Sequence, residues 1–325
     1  MKVYRSLQEV PPDFGPSVLT IGNFDGVHFG HRRILRRVKE LADRRGWKAS
    51  ALTFDPHPTR VVAPERAPLL MTSPERRAEL MEEEGIEQVL ILPFTRELAQ
   101  LTPEQFVRQL LVERLGVKAV LVGDNFRFGH KQAGNIRVLA ELGSRLGFET
   151  EIVPAVTLRG RVVSSSGIRE LIQRGRVSLA ARLLQHGYGL EGDVVSGRGV
   201  GSRETVPTLN LSTNAALMPA RGVYVTRTRD LGSARAWNSI TNIGYRPTFG
   251  ASDQLSIETF LLEPLAGEAP RRIRVEFCWR VRDERRFDSP EALKAQILKD
   301  ARAAQAYFRR LRAWTGRQAP CATHD

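Results

Sequence analysis

Hydrophobic positions in the first half of the chain come in short continuous runs. Val18–Gly22, Ala49–Phe54, Gln88–Pro93, Lys118–Gly123 and Glu151–Val156 are rich in Val, Ile, Leu and Ala, the pattern of strands buried on both faces. Between them, apolar residues recur three and four apart over His31–Arg45, Pro74–Glu84, Pro103–Leu115 and Asn135–Leu146, which predicts helices. In the first of these, Ile34, Leu35, Val38, Leu41 and Ala42 make the inward stripe, with arginines opposite. Strands alternating with helices predict a parallel sheet with helices on its faces.

The pattern changes after a helical stretch at Ile168–His186. Leu190–Ser196, Thr208–Leu211, Gly222–Arg229, Ala234–Ile243, Leu255–Leu262 and Ile273–Arg280 are short and separated by Gly, Pro, Asn or Asp. Six such strands predict a small antiparallel β-barrel, closed by a helix over Pro290–Trp314 in which Leu293, Ile297, Ala301 and Ala304 share a face. The fold expected is an α/β domain over residues 1–186, a barrel domain over residues 187–315 and a tail at 316–325.

Composition narrows the class. The chain has 325 residues, 42% hydrophobic and 26% charged, enough for two domains with cores of their own. No apolar run approaches the ~20 residues that span a bilayer, and the charged, proline-bearing N-terminus lacks a signal-peptide core. With only two cysteines, Cys278 and Cys321, neither a disulfide framework nor a cysteine zinc site is available, so a cytoplasmic protein without a membrane role is expected. The net charge of +13 is shared between the halves: residues 1–187 hold 28 basic and 21 acidic residues, residues 188–325 hold 21 and 15. There is no polybasic tail and no aromatic–basic alternation, so no nucleic-acid partner is expected. The cluster Arg32, Arg33, Arg36, Arg37 and Lys39 reads as a solvated helix face.

The strongest chemical signal is Ile21-Gly22-Asn23-Phe24-Asp25-Gly26-Val27-His28-Phe29-Gly30-His31, which leaves a predicted strand and enters a predicted helix. Ligands of open α/β sheets bind at that edge, and glycines let the backbone approach them. His28 and His31 could hydrogen-bond a triphosphate beside the positive end of the helix. The glycine spacing is not that of a dinucleotide fold, and His57, the nearest third histidine, brings no metal-ligand spacing. Taken singly, the ordinary readings are plainer. Ser164–Ser166 would start a helix, Phe54 would be a core aromatic, Glu258 an outward residue of a strand, and Thr208 and Asn210 turn chemistry.

The H-x-G-H segment resembles the nucleotidyltransferase superfamily, and Ser164-Ser165-Ser166-Gly167-Ile168-Arg169 is similar to its second signature, ISSTxIR. Thr53-Phe54-Asp55-Pro56-His57-Pro58 and Val122-Gly123-Asp124-Asn125-Phe126-Arg127-Phe128-Gly129 narrow the likeness to the adenylyltransferase half of bacterial bifunctional riboflavin kinase/FAD synthetases. Pro207-Thr208-Leu209-Asn210 stands where that family has PTAN. Gly222-Val223-Tyr224, the run Asn242–Phe249 and Ile257-Glu258-Thr259-Phe260 follow in the family's order, so the resemblance covers almost the whole chain.

The resemblance implies a Rossmann-like nucleotidyltransferase domain followed by a kinase barrel. ATP would phosphorylate riboflavin to FMN, and a second ATP would adenylylate FMN to FAD with release of pyrophosphate. It implies that His28, His31 and Arg169 stabilise the charge of adenylyl transfer, and that Gly22, Asn23, Phe24, Gly30, Ser164 and Ser165 hold ATP. Phe54, Asp55 and Asn125 would line the flavin pocket, Glu258 would be the base of the kinase, and Thr208 and Asn210 would hold ATP with Mg²⁺. The expected partners are riboflavin, FMN and ATP alone, and the expected state a monomer or weak homo-oligomer. One stretch departs from the family. Where GRxLGFPTAN is usual, this chain reads Gly201-Ser202-Arg203-Glu204-Thr205-Val206-Pro207-Thr208-Leu209-Asn210, which predicts a kinase with weakened ATP binding. The alternatives are an FAD synthetase with weak or no kinase activity, and a non-catalytic flavin-sensing regulator.

Overall fold

The computed structural model describes residues 1–158, 160–195, 208–246, 254–265, 267–285 and 287–315. The departing loop at 201–206, Pro207, the segment Pro247–Phe249 and the tail at 316–325 lie outside the described residues. The chain divides into two compact units, Met1–Ser165 and Ser166–Asp325.

In the first unit β1 (Lys2–Tyr4), β2 (Ser17–Ile21), β3 (Lys48–Asp55), β4 (Gln88–Pro93), β5 (Val117–Gly123) and β6 (Glu149–Val153) form one parallel sheet, ordered β1-β4-β3-β2-β5-β6. Both faces are covered, which is why the central strands read as unbroken apolar runs. On one face, α1 (Phe29–Arg45) and α3 (Pro74–Glu82) pack Leu35, Val38, Leu80 and Met81 onto Ala49, Val89 and Leu121. The opposite face takes Phe106–Leu111 together with α6 (Ile136–Leu146), whose Leu139 and Leu142 meet Leu19, Leu90 and Val120. Smaller pieces complete the unit: α2 (Pro58–Val62), α4 (Arg96–Gln100), α5 (Pro103–Gln105) and the hairpin β7 (Thr157–Leu158) with β8 (Arg161–Val162). The helix expected over 103–115 is α-helical only at its start and continues as a π-helix over Phe106–Arg114.

The expected helical stretch at 168–186 is two helices, α7 (Ser165–Gln173) and α8 (Val177–Leu184). They part at Gly175, whose φ of 72° favours glycine and where a Cβ would lie 2.8 Å from the Tyr224 hydroxyl. α8 packs against the strand Arg272–Arg282. β9 (Tyr188–Val195), β10 (Thr208–Ser212), β11 (Gly222–Asp230), β12 (Ala236–Arg246), β13 (Gln254–Leu261) and β14 (Arg272–Arg282) close into the antiparallel barrel, ordered β10-β13-β12-β11-β14-β9. The long α9 (Pro290–Thr315) lays Ala304, Phe308 and Leu311 on Val223, Val225, Ile240 and Cys278 of its outer face.

The arginine cluster of α1 is not simply a solvated face. Arg32 is 5% exposed and pairs with Glu84, while Arg37 holds Glu151 of β6 with its Nε at 2.6 Å and a second guanidinium nitrogen at 2.9 Å. Helical periodicity shows which residues avoid water, but it cannot reveal acceptors brought from 52 or 114 residues away.

Candidate functional site

In the sheet order of the first unit, the chain leaves β2 toward β3 on one side, while β5 lies on the other. The crevice beyond the carboxyl ends at such a reversal is where α/β sheets take their ligands. Register puts Ile21 of β2 opposite Leu52 of β3 and Thr20 opposite Leu121 of β5, so the three strands run out side by side. Three expected groups therefore share one edge: Gly22–His31 after β2, Phe54 and Asp55 ending β3, and Asn125 just past β5. Asp55 and Asn125 are exposed there. The Phe54 ring is instead 8% exposed and meets Phe94 edge-on at 5.4 Å, as its ordinary reading would have it.

The turn after β2 is tightly specified. Gly26 has φ 79°, and Phe24 and Val27 take positive φ of 48° and 38° although neither is glycine. Phe24 is 2% exposed and stands edge-on to His31 at 5.1 Å. His28 caps α1, its Nδ1 accepting the His31 N–H at 3.4 Å. That bond leaves the proton of neutral His28 on Nε2, a donor suited to a phosphate oxygen. The two imidazoles stack with centroids 3.6 Å apart and planes 15° from parallel. A Cβ on Gly30 would stand 3.2 Å from His28 Cε1, so glycine here leaves the imidazole its place. The Ser165 hydroxyl donates to the Asp25 carbonyl at 3.3 Å, joining the second signature to this turn; Ser164 is exposed beside it. Arg169 follows one turn along α7, half-buried, within the second unit.

Sequence reasoning missed two members of this region. Asp25 is 2% exposed; its carboxylate accepts from the Met71 N–H at 2.9 Å, and from the Thr72 N–H at 3.2 Å and hydroxyl at 3.3 Å. Arg77 is also 2% exposed and donates to carbonyls of the turn and of β3. Asp25 lies inside the glycine motif and could have been noticed there. Arg77 stands in the run Pro74-Glu75-Arg76-Arg77-Ala78-Glu79, where nothing separates it from solvated neighbours.

Burial, and then the adjacent His28, push His31 well below the usual 6.5 of a histidine, and its enclosed Nδ1 has no hydrogen-bond partner among the described residues. The folded protein thus holds His31 neutral while the unfolded chain takes up a proton below about pH 6.5. The stability this supplies is complete above that pH and falls as the pH drops toward the lowered folded value. Urea unfolding from pH 7 to pH 5.5 is expected to show the loss, with a limiting slope of about 1.4 kcal/mol per pH unit for one proton. His31→Phe, a ring that cannot titrate, should flatten that slope; equal slopes in both proteins would place the acid sensitivity elsewhere.

In the barrel, register resolves what alternation left open. Glu258 of β13 lies opposite Asn210 of β10 on one side and Asn242 of β12 on the other, so three polar side chains form one row. All three are half-buried. The next residues face inward: Thr259 bonds Thr241 at 2.9 Å, Thr241 bonds Thr226 at 2.8 Å and Thr226 bonds Ser239 at 2.8 Å, all 0% exposed. The Glu258 row is therefore on the outer face, the side on which Ile240 packs under α9. Thr208, two residues before Asn210, shares that face and is exposed. The sequence reading gave Asn242 no site role and did not include Glu284. A Cβ on Gly244 would meet Glu284 Oε1 at 2.1 Å and Asn242 Nδ2 at 3.2 Å, so glycine admits a second carboxylate beside the row. Hydroxyl, amide and carboxylate oxygens are hard donors of the kind Mg²⁺ takes sparingly while keeping its waters.

A parallel six-stranded sheet flanked by helices, followed by a closed six-stranded barrel, thus defines a two-domain α/β protein. The family model for FAD synthetase matches residues 11–167, and that for riboflavin kinase matches residues 184–308. A bifunctional riboflavin kinase/FMN adenylyltransferase of Pseudomonas fluorescens is 36% identical over 94% of this chain and 97% of its own. Those of Escherichia coli K12 and Bacillus subtilis 168 are 34% and 33% identical, covering 95% and 91% of this chain and 98% and 94% of theirs. A crystal structure described as a macrolide-efflux protein from Streptococcus pneumoniae superposes with a TM-score of 0.82 at 25% identity, over 93% of this chain and 98% of that one. Among the described residues, no helix of this chain is long and apolar enough to cross a membrane. The chain belongs to the bifunctional riboflavin kinase/FMN adenylyltransferase family.

Proposed function

We propose that this protein phosphorylates riboflavin to FMN with ATP and then adenylylates FMN to FAD with a second ATP, releasing pyrophosphate. What carries the reading is that the chain spans nearly the full length of its bifunctional relatives, while each unit keeps a polar cluster suited to one of the two steps. Adenylyl transfer is assigned to residues 1–186, phosphoryl transfer to residues 187–315, and 316–325 to a tail.

For adenylyl transfer, an FMN phosphate oxygen attacks the α-phosphorus of ATP, and the bond to the pyrophosphate oxygen breaks. His28, His31 and Arg169 stabilise the charge growing on the phosphate oxygens, while Gly22, Asn23, Phe24, Gly30, Ser164 and Ser165 shape the nucleotide site. Phe54, Asp55 and Asn125 are assigned to the flavin side of the same edge. In the barrel, the Glu258 carboxylate takes the proton of the ribityl hydroxyl as that oxygen attacks the γ-phosphorus and ADP leaves. Thr208 and Asn210 would hold Mg²⁺, which neutralises phosphate charge when bound; Asn242 flanks the base. The enzyme is assigned to the cytoplasm as a monomer or weak homo-oligomer, with riboflavin, FMN and ATP as its only partners.

The full-length protein is the form to assay, because a cut at residue 186 would strip α8 of the β14 surface it covers. Incubated with ATP, Mg²⁺ and riboflavin, it is expected to yield FMN and then FAD; given FMN, it should yield FAD and pyrophosphate. Chromatography of the flavins reads both steps. FAD from FMN without FMN from riboflavin would reduce the activity to FAD synthesis, and neither product would overturn the reading.

A further inference from the structure

Arg77, on α3, is enclosed at 2% exposure, yet among the described residues the Asp25, Asp55 and Glu75 carboxylates act on its guanidinium only through space, without a close ion pair. A cation inside a protein needs partners for its donors, and here the two terminal nitrogens find them while Nε has none among the described residues. One terminal nitrogen of Arg77 donates to the Asn23 carbonyl at 2.8 Å, the Thr53 hydroxyl at 3.0 Å and the Phe54 carbonyl at 3.2 Å. The other donates to the same Phe54 carbonyl, also at 3.2 Å, and the Thr53 hydroxyl donates in turn to the Asn23 carbonyl at 3.2 Å. Burial lowers the guanidinium pKa, and the nearby Asp25, Asp55 and Glu75 carboxylates counter it. A single planar fork therefore ties the turn after β2 to the carboxyl end of β3. These are the two backbone segments assigned above to the nucleotide and to the flavin.

The turn needs such a hold. Positive φ at Phe24 and Val27 is strained for side-chain-bearing residues and persists only where the surroundings over-determine it. The segment that leads into α3 supplies the rest of the restraint: Met71 and Thr72 bind the Asp25 carboxylate, and the Thr72 hydroxyl accepts the Gly26 N–H at 3.0 Å. We propose that Arg77 is a positioning residue for adenylyl transfer, fixing the Asn23–Gly26 turn against the Phe54–Asp55 strand end and thereby aligning ATP with the FMN phosphate. The inference rests on the adenylyltransferase reading of the first unit.

The test uses full-length protein carrying Arg77→Met, Arg77→Lys or Thr53→Val, assayed well below the thermal transition for both FMN adenylylation and riboflavin phosphorylation. Misplacement of reacting groups by on the order of 1 Å costs about 10²-fold, which is the fall in adenylylation kcat expected for Arg77→Met. Arg77→Lys should recover part of it, since an ammonium keeps the charge but has one nitrogen where the guanidinium brings two to the Phe54 carbonyl. Thr53→Val, with the charge intact, should give a smaller fall. Phosphorylation in the barrel should be unchanged in all three. If Arg77→Met does not fold, the two milder variants decide: lowered kcat with an unshifted thermal transition supports the positioning role. Wild-type kcat in folded Arg77→Lys and Thr53→Val, or a loss that merely tracks unfolding, overturns it. Wild-type protein that makes no FAD from FMN would instead overturn the reading beneath it.

Discussion

His28→Asn is expected to slow conversion of FMN to FAD by on the order of 10²–10³, the usual cost of one donor aimed at developing charge, with little change in FMN affinity. Asparagine is the informative replacement because His28 has two jobs. Its Nδ1 caps α1 by accepting the His31 N–H, which puts the proton of the neutral ring on Nε2 as a donor. Asparagine is among the best N-caps, whereas alanine would also cost about 1 kcal/mol of helix stability. A rate loss shared by His28→Asn and His28→Ala, with the thermal transition lowered only in the alanine protein, separates chemistry from capping. Near-normal turnover of His28→Asn would reduce the H-x-G-H segment to a helix start. Steady-state pyrophosphate release together with thermal unfolding measures both.

Glu258→Gln should abolish most FMN formation from riboflavin, a loss of about 10²–10⁴ for a general base, while FMN-to-FAD conversion stays near normal. The amide keeps the size and polarity of the side chain at a position that the register sets between Asn210 and Asn242, so the row should remain ordered. What disappears is the negative charge and the capacity to accept a proton. Riboflavin supplied with ATP should then accumulate no FMN, and FMN supplied directly should still become FAD. Equal loss of both activities in folded protein would mean that the two steps share a site.

Much of this was legible in the residues. The unbroken runs of β2 to β5 announced strands covered on both faces, and the helical stripe of α1 announced its inward side, because burial periodicity is local and survives in one dimension. The six barrel strands were legible through their turn residues. The edge strand Lys2–Tyr4 was not: three residues are too few for any period, and its existence depends on β4 pairing beside it.

The sequence by itself determined the chemistry on offer. Glycines around two histidines after a strand, serines leading to an arginine, and a glutamate among strand residues are fixed by the order of the chain. Only the tertiary structure decided which groups meet. Nothing in the chain says that Glu258 stands between Asn210 and Asn242, because a register can slip by one residue and turn a strand's other face outward. Nor does it say that, within the charged run of α3, Arg77 goes inside to hold Asn23 and Phe54 while Arg76 pairs with Glu79. A charge is enclosed only where distant carbonyls converge to receive it, and that convergence is a property of the folded sheet rather than of any local stretch.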